Sequence, residues 1–133
     1  MDEAVIKHYR RLLREGFQYC GSLETPSIYL DSVGEKIQLC GHTSYNYVHV
    51  YLNIAEGKIS EVKYLCNCDP TTNVVVEFFC ALVDKKSLAE VEALTPASFS
   101  EALGSTGEEL LQKSTRMLEL FKRGLARFFN PPA

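Results

Sequence analysis

The residues best placed for chemistry lie in Cys66-Asn67-Cys68-Asp69-Pro70. The apolar positions from Ile59 to Leu65 predict a strand that ends there. Asp69-Pro70 predicts a helix that begins there, with Asp69 accepting backbone N–H bonds as N-cap and Pro70 in the first turn. Two thiols therefore sit between a strand end and a helix start. The N–H groups at a helix N-terminus carry partial positive charge and favour thiolate, the form that binds metal or attacks an electrophile. A second cluster, Cys40-Gly41-His42, lies upstream in a turn-like segment, with Gly41 freeing the backbone for a close approach. The expectation is that the two loops meet and that the rest of the chain holds them together.

Thiolate and imidazole suit tetrahedral zinc, and they also suit iron–sulfur clusters. Cys40, His42, Cys66 and Cys68 are thus the candidate metal ligands. A Cys-x-Cys pair with a Cys-x-His pair is less specific than two Cys-x-x-Cys pairs. The same residues also read as free thiols at a site without metal. Nucleophilic catalysis would need a base, and His42 is the one candidate near these cysteines; the expectation is a protein that is not an enzyme.

The elements that must position these residues follow from periodicity. Val5, Ile6, Tyr9, Leu12 and Leu13 recur at helical spacing and predict an amphipathic helix from Asp2 to Glu15, stopped by Gly16. Residues 17–26 read as a loop, with Cys20 incidental to any site. Ser27 to Val33 and Glu35 to Cys40 read as two short strands separated by Gly34. Tyr45 to Ile54 alternates: Val48, Val50, Leu52 and Ile54 face a core, and Tyr47, His49, Tyr51 and Asn53 face water, with His49 solvated. Ala55-Glu56-Gly57-Lys58 is a hairpin turn. From Pro70 the repeat Val74, Phe78, Leu82 favours a helix, although Val74-Val75-Val76 would suit a strand. Cys80 in this helix reads as a small buried core residue. Ser87 with Glu90 forms a capping box for a short helix, Ala97 to Leu103 is another, and Glu108 to Phe129 is a long one with a stripe of Leu110, Ser114, Met117, Phe121, Leu125 and Phe128. His8, on the first helix, reads as packed or solvated rather than functional.

Sheet first and helices later makes the class α+β: a small, mainly antiparallel sheet with helices on one face. At 133 residues the chain reads as one domain, 1–133, with a real core. A net charge of −3 lacks the basic footprint of a nucleic-acid binder. No apolar run is long enough to span a bilayer, and the start of the chain lacks signal-peptide character, so a cytoplasmic location is expected. Five cysteines without a secretory signal predict free or metal-bound thiols rather than a disulfide framework.

The order of elements resembles the U-type iron–sulfur cluster assembly scaffolds, the IscU-like or NifU N-terminal domains, over nearly the whole chain. Val5-Ile6-Lys7-His8-Tyr9 matches that family's first helix, Gly21-Ser22-Leu23 the loop after it, and Cys40-Gly41 its first cluster-binding cysteine. Val48 to Lys63 matches its central hairpin, and Lys86-Ser87-Leu88-Ala89-Glu90 a later helix start. The resemblance implies a scaffold or carrier that receives sulfur from a cysteine desulfurase, binds iron or an iron–sulfur cluster, and passes the cluster to an apo-protein acceptor. It places the second cysteine in Cys66-Asn67-Cys68, at either thiol, and so implies Cys40, Cys66 and Cys68 as the cluster-binding set. This chain departs from the pattern: His42 stands where the family has an aspartate, Lys113 where it has a third cysteine, Asn67 and Asp69 where glycines flank the second, and Thr71-Thr72-Asn73-Val74-Val75 where it has a run of small residues. The resemblance therefore leaves a second reading beside the first, a non-enzymatic binding module on the same fold, zinc-bound or metal-free.

Overall fold

The computed structural model describes residues 2–39 and 46–129. Its elements are α1 (Glu3–Glu15), β1 (Ile28–Asp31), β2 (Tyr47–Ala55), β3 (Lys58–Asn67), α2 (Pro70–Val83), α3 (Leu88–Glu92), α4 (Pro96–Leu103) and α5 (Glu108–Phe129). The three strands form one antiparallel sheet in the order β1-β2-β3. The fold is α+β, with the helices on one face of that sheet. Local chemistry explains the element ends. Asp2 accepts the N–H groups of Ala4 and Val5 and starts α1. Glu56 and Gly57, at φ 54° and 74°, make the two-residue turn between β2 and β3. Ser87 and Glu90 close the capping box of α3.

The alternation of β2 divides the sheet. Val48, Val50 and Leu52 are fully buried under the helices, together with Ile28 and Leu30 of β1 and Val62 and Tyr64 of β3. On the opposite face Tyr29, Tyr47, His49 and Tyr51 form a ladder of ring contacts. His49 is not simply solvated there: it is half-buried between Tyr29 and Tyr47, and its Nε2 lies 3.5 Å from the Asp31 carboxylate.

Two expectations are corrected. Among the described residues, 35–39 do not form a strand. Glu35 and Ile37 donate their N–H groups to the Asp31 and Ser32 carbonyls, and Lys36 sits at φ 58°, so the chain coils in turns. Ile37 and Leu39 are nevertheless buried, which is why they alternate with polar neighbours. The last helix packs on β1, α2 and α4. Its stripe of Leu110, Ser114, Met117, Phe121 and Leu125 is buried, but Phe128 is exposed. Phe121 meets Phe79 of α2 edge to face at 5.1 Å, and α2 in turn covers β3.

Candidate functional site

Cys66 reaches the site because β3 runs past Tyr64 to Asn67, which sets Cys66 opposite Val48 of β2. Its parity puts it on the core side, where it is half-buried. Burial is the main force raising its thiol to about 12; the Asp69 carboxylate adds to this and the Lys113 ammonium offsets part of it. Desolvation therefore outweighs any helix-end effect at Cys66, and the thiol stays protonated at neutral pH, contrary to the expected thiolate. Cys68 lies past the strand end, its Sγ 3.4 Å from the Tyr47 carbonyl oxygen. Cys20, Cys66 and Cys80 are free thiols, whereas Cys68 is disulfide-bonded, which departs from the expectation of free or metal-bound thiols throughout.

Next in the chain comes the start of α2. Asp69 Oδ1 accepts the Thr72 N–H at 2.8 Å, the cap that its sequence predicted. Its other oxygen accepts from Lys113 of α5 at 3.1 Å. Lys113 Nζ also donates to the Leu39 carbonyl at 2.6 Å and to Thr72 Oγ1 at 2.7 Å. Thr72 Oγ1 completes the ring by donating to the same Leu39 carbonyl at 2.9 Å. All three ammonium N–H groups are thus used, and both lone pairs of the Leu39 carbonyl. Lys113 is only 9 % exposed. Burial pushes the Asp69 carboxyl up, but the Thr72 N–H and the Lys113 ammonium together hold it below the usual carboxylate value.

The network joins Leu39, the residue before Cys40, to Asp69, the residue after Cys68. Cys40 and His42 themselves lie outside the described residues, and so does any distance from them to Cys66 or Cys68. Among the described residues no three His, Cys, Asp or Glu side chains are arranged to hold a metal ion. Sequence reasoning missed the roles of Thr72 and the Leu39 carbonyl, which carry no local signal. The backbone of Cys20, an exposed free thiol, bridges to that of Tyr64, two residues before Cys66 on β3. Cys80 is fully buried in the core, as expected. His8 is packed, with Nε2 3.0 Å from the Leu103 carbonyl and its ring against Phe78.

No family model matches the sequence, and no curated protein matches it. Solved structures do. A NifU-like N-terminal protein from Brucella abortus is similar at 11 % identity with a TM-score of 0.65, over 98 % of this chain and 95 % of that one. A protein from Fervidobacterium islandicum AW-1, titled as an iron–sulfur cluster assembly scaffold protein for the SUF system, is similar at 16 % identity with a TM-score of 0.51, over 96 % and 85 %. A hypothetical protein is similar at 15 % identity with a TM-score of 0.50, over 92 % and 87 %. At these identities the likeness is one of architecture, and it agrees with the element order, the sheet and the helix placement described above: the chain has the fold of the U-type scaffolds.

Proposed function

We propose that this chain is an iron–sulfur cluster assembly scaffold or carrier-like protein, not an enzyme, that takes iron or a cluster as cargo on Cys40, Cys66 and Cys68 with His42 as a further donor. The observation that carries the reading is the Lys113 network, which ties the residue before Cys40 to the residue after Cys68. The fold supports it, being shared with structures titled as NifU-like and as a scaffold for the SUF system. In this reading a cysteine desulfurase supplies sulfur and an apo-protein receives the cluster, in the cytoplasm.

The chain's own residues set the conditions for loading. Cys68 must first be reduced, since only a thiolate ligates. Cys66 must lose a proton from a thiol raised to about 12, so its ligation costs more than that of an exposed cysteine. His42, in place of a carboxylate, would donate a neutral nitrogen, which removes one negative charge and raises a cluster's reduction potential.

The second reading is a binding module, zinc-bound or metal-free, and one observation favours its metal-free form: the Lys113 ammonium places positive charge beside the cysteines and opposes an incoming cation. Anaerobic reconstitution of the reduced chain with iron and sulfide separates the two. The cargo reading expects visible charge-transfer absorbance that Cys68→Ser abolishes and His42→Ala weakens. Absence of that absorbance in the reduced wild type, with zinc or no metal found by elemental analysis, would establish the second reading in its place.

A further inference from the structure

The structure assigns Lys113 the part of a built-in cation, holding together the residue before Cys40 and the residue after Cys68 in the way a metal would, and so keeping the site assembled while it is empty. A buried lysine is unfavourable unless its charge is met by several partners. Here the partners come from three separate places: the Leu39 carbonyl, the Thr72 hydroxyl and the Asp69 carboxylate, with the lysine itself on α5. An all-oxygen set of carbonyl, hydroxyl and carboxylate is of the kind that holds a hard cation. The chain fills it from within by an ammonium on a flexible stem. Nothing else among the hydrogen bonds of the described residues joins Leu39 to the start of α2 except the Thr72 hydroxyl, which belongs to the same ring.

Two consequences follow. Without cargo the two segments stay in register, so folding does not depend on metal. With cargo, the ammonium opposes the added positive charge, so Lys113 lowers the affinity of the site for a divalent ion; this second consequence rests on the cargo reading above, and the first does not.

The test is thermal unfolding of the reduced full-length chain, with chelator or with zinc, for wild type, Lys113→Ala, Lys113→Arg and Asp69→Asn. Wild type is expected to show the same Tm in chelator as without it. Lys113→Ala removes the propylammonium portion of the side chain, and its Tm in chelator should fall by roughly 5 °C. Ethylammonium should restore part of that loss, while tetramethylammonium at the same ionic strength, which cannot donate N–H bonds, should not. Lys113→Arg should retain most of the stability. Zinc should bind Lys113→Ala about tenfold or more tighter than wild type, as removal of a nearby charge predicts.

An unchanged Tm in Lys113→Ala, or equal effects of the two ammonium ions, would overturn the role of built-in cation. If Lys113→Ala does not fold, Asp69→Asn carries the test: its Tm should fall less than that of a cap-deleting Asp69→Ala, and an equal Tm for wild type and Asp69→Asn would overturn the proposal. Rescue by ethylammonium without metal binding in any variant would keep the clamp and sink the cargo reading. Metal binding with an unaltered Tm in Lys113→Ala would do the reverse.

Discussion

Cys66 and Cys68 are two residues apart, yet strand parity and the strand end give them different surroundings. Cys66 is on the core side and its thiol is raised to about 12, mainly by burial. Cys20 is exposed and free. Alkylation of the reduced chain with iodoacetamide at pH 8 should therefore modify Cys20 well before Cys66, as read by peptide mass mapping; equal rates would contradict the desolvated environment of Cys66. Asp69 gives a second prediction. Its folded pKa lies below the ordinary 3.8, so the stability it contributes is present above 3.8 and is lost as pH falls through the folded value. Asn keeps the cap but cannot titrate. Urea midpoints measured from pH 5 down to 2 should thus fall less steeply for Asp69→Asn than for wild type. At this scale the sequence made Asp69 legible through cap chemistry, because cap and helix are adjacent. It could not make the lysine's partners legible: Lys113 meets Asp69 across 44 residues and Leu39 across 74. Only resemblance had flagged position 113, and it gave no reason for a lysine there.

Among the elements, α5 shows what periodicity reveals and what it hides. Its buried stripe was readable at helical spacing; the partner of that stripe was not. Gly124 settles the contact. A Cβ built there would lie 2.1 Å from Leu30 Cδ2 and 3.1 Å from Ile28 Cγ2, so helix and β1 approach so closely that any side chain there must displace Leu30. Gly124→Ala gains helix propensity but must displace buried Leu30, and the expected net result is a loss of about 1–3 kcal/mol by chemical denaturation. A neutral or stabilised variant would show that β1 can move away. Phe121, 1 % exposed and stacked edge to face on Phe79, should cost about 3–5 kcal/mol when cut to Ala. The false strand at 35–39 has the opposite lesson. Alternating burial of Ile37 and Leu39 mimics a strand, but turn hydrogen bonds to Asp31 and Ser32 take the backbone first. Arg123 and Arg127 then pin Glu35 to α5, a tertiary pairing that no window of sequence displays. In α2, conversely, the run of three valines did not win, because the cap at Asp69 and the repeat through Phe78 both favoured a helix.

Across the whole molecule, the helices that cover the sheet are joined by a buried carboxylate as well as by apolar packing. Glu77 on α2 is 5 % exposed and accepts the N–H groups of Gln18 and Tyr19, so it fastens the chain that leaves α1 to the helix that starts at the site. Burial is the largest influence on it and raises its pKa above the ordinary 4.5; the bonds from Tyr19, Tyr64 and Gln18 offset only part of that. The folded state therefore binds this proton more tightly than the unfolded chain does. The contribution of Glu77 to stability is fully present below 4.5 and is lost as pH rises through its raised folded value. Gln keeps one of the two acceptor oxygens, sets an NH2 in place of the other, and has no proton to lose, so its cost does not change with pH. The difference in unfolding free energy between wild type and Glu77→Gln should accordingly move against the wild type as pH is raised from 4 to 7, in denaturant titrations at each pH. A difference that stays flat over this range would mean that the fold hydrates Glu77 enough to leave its titration unchanged, and would leave the Gln18 and Tyr19 bonds as its whole part in the joint.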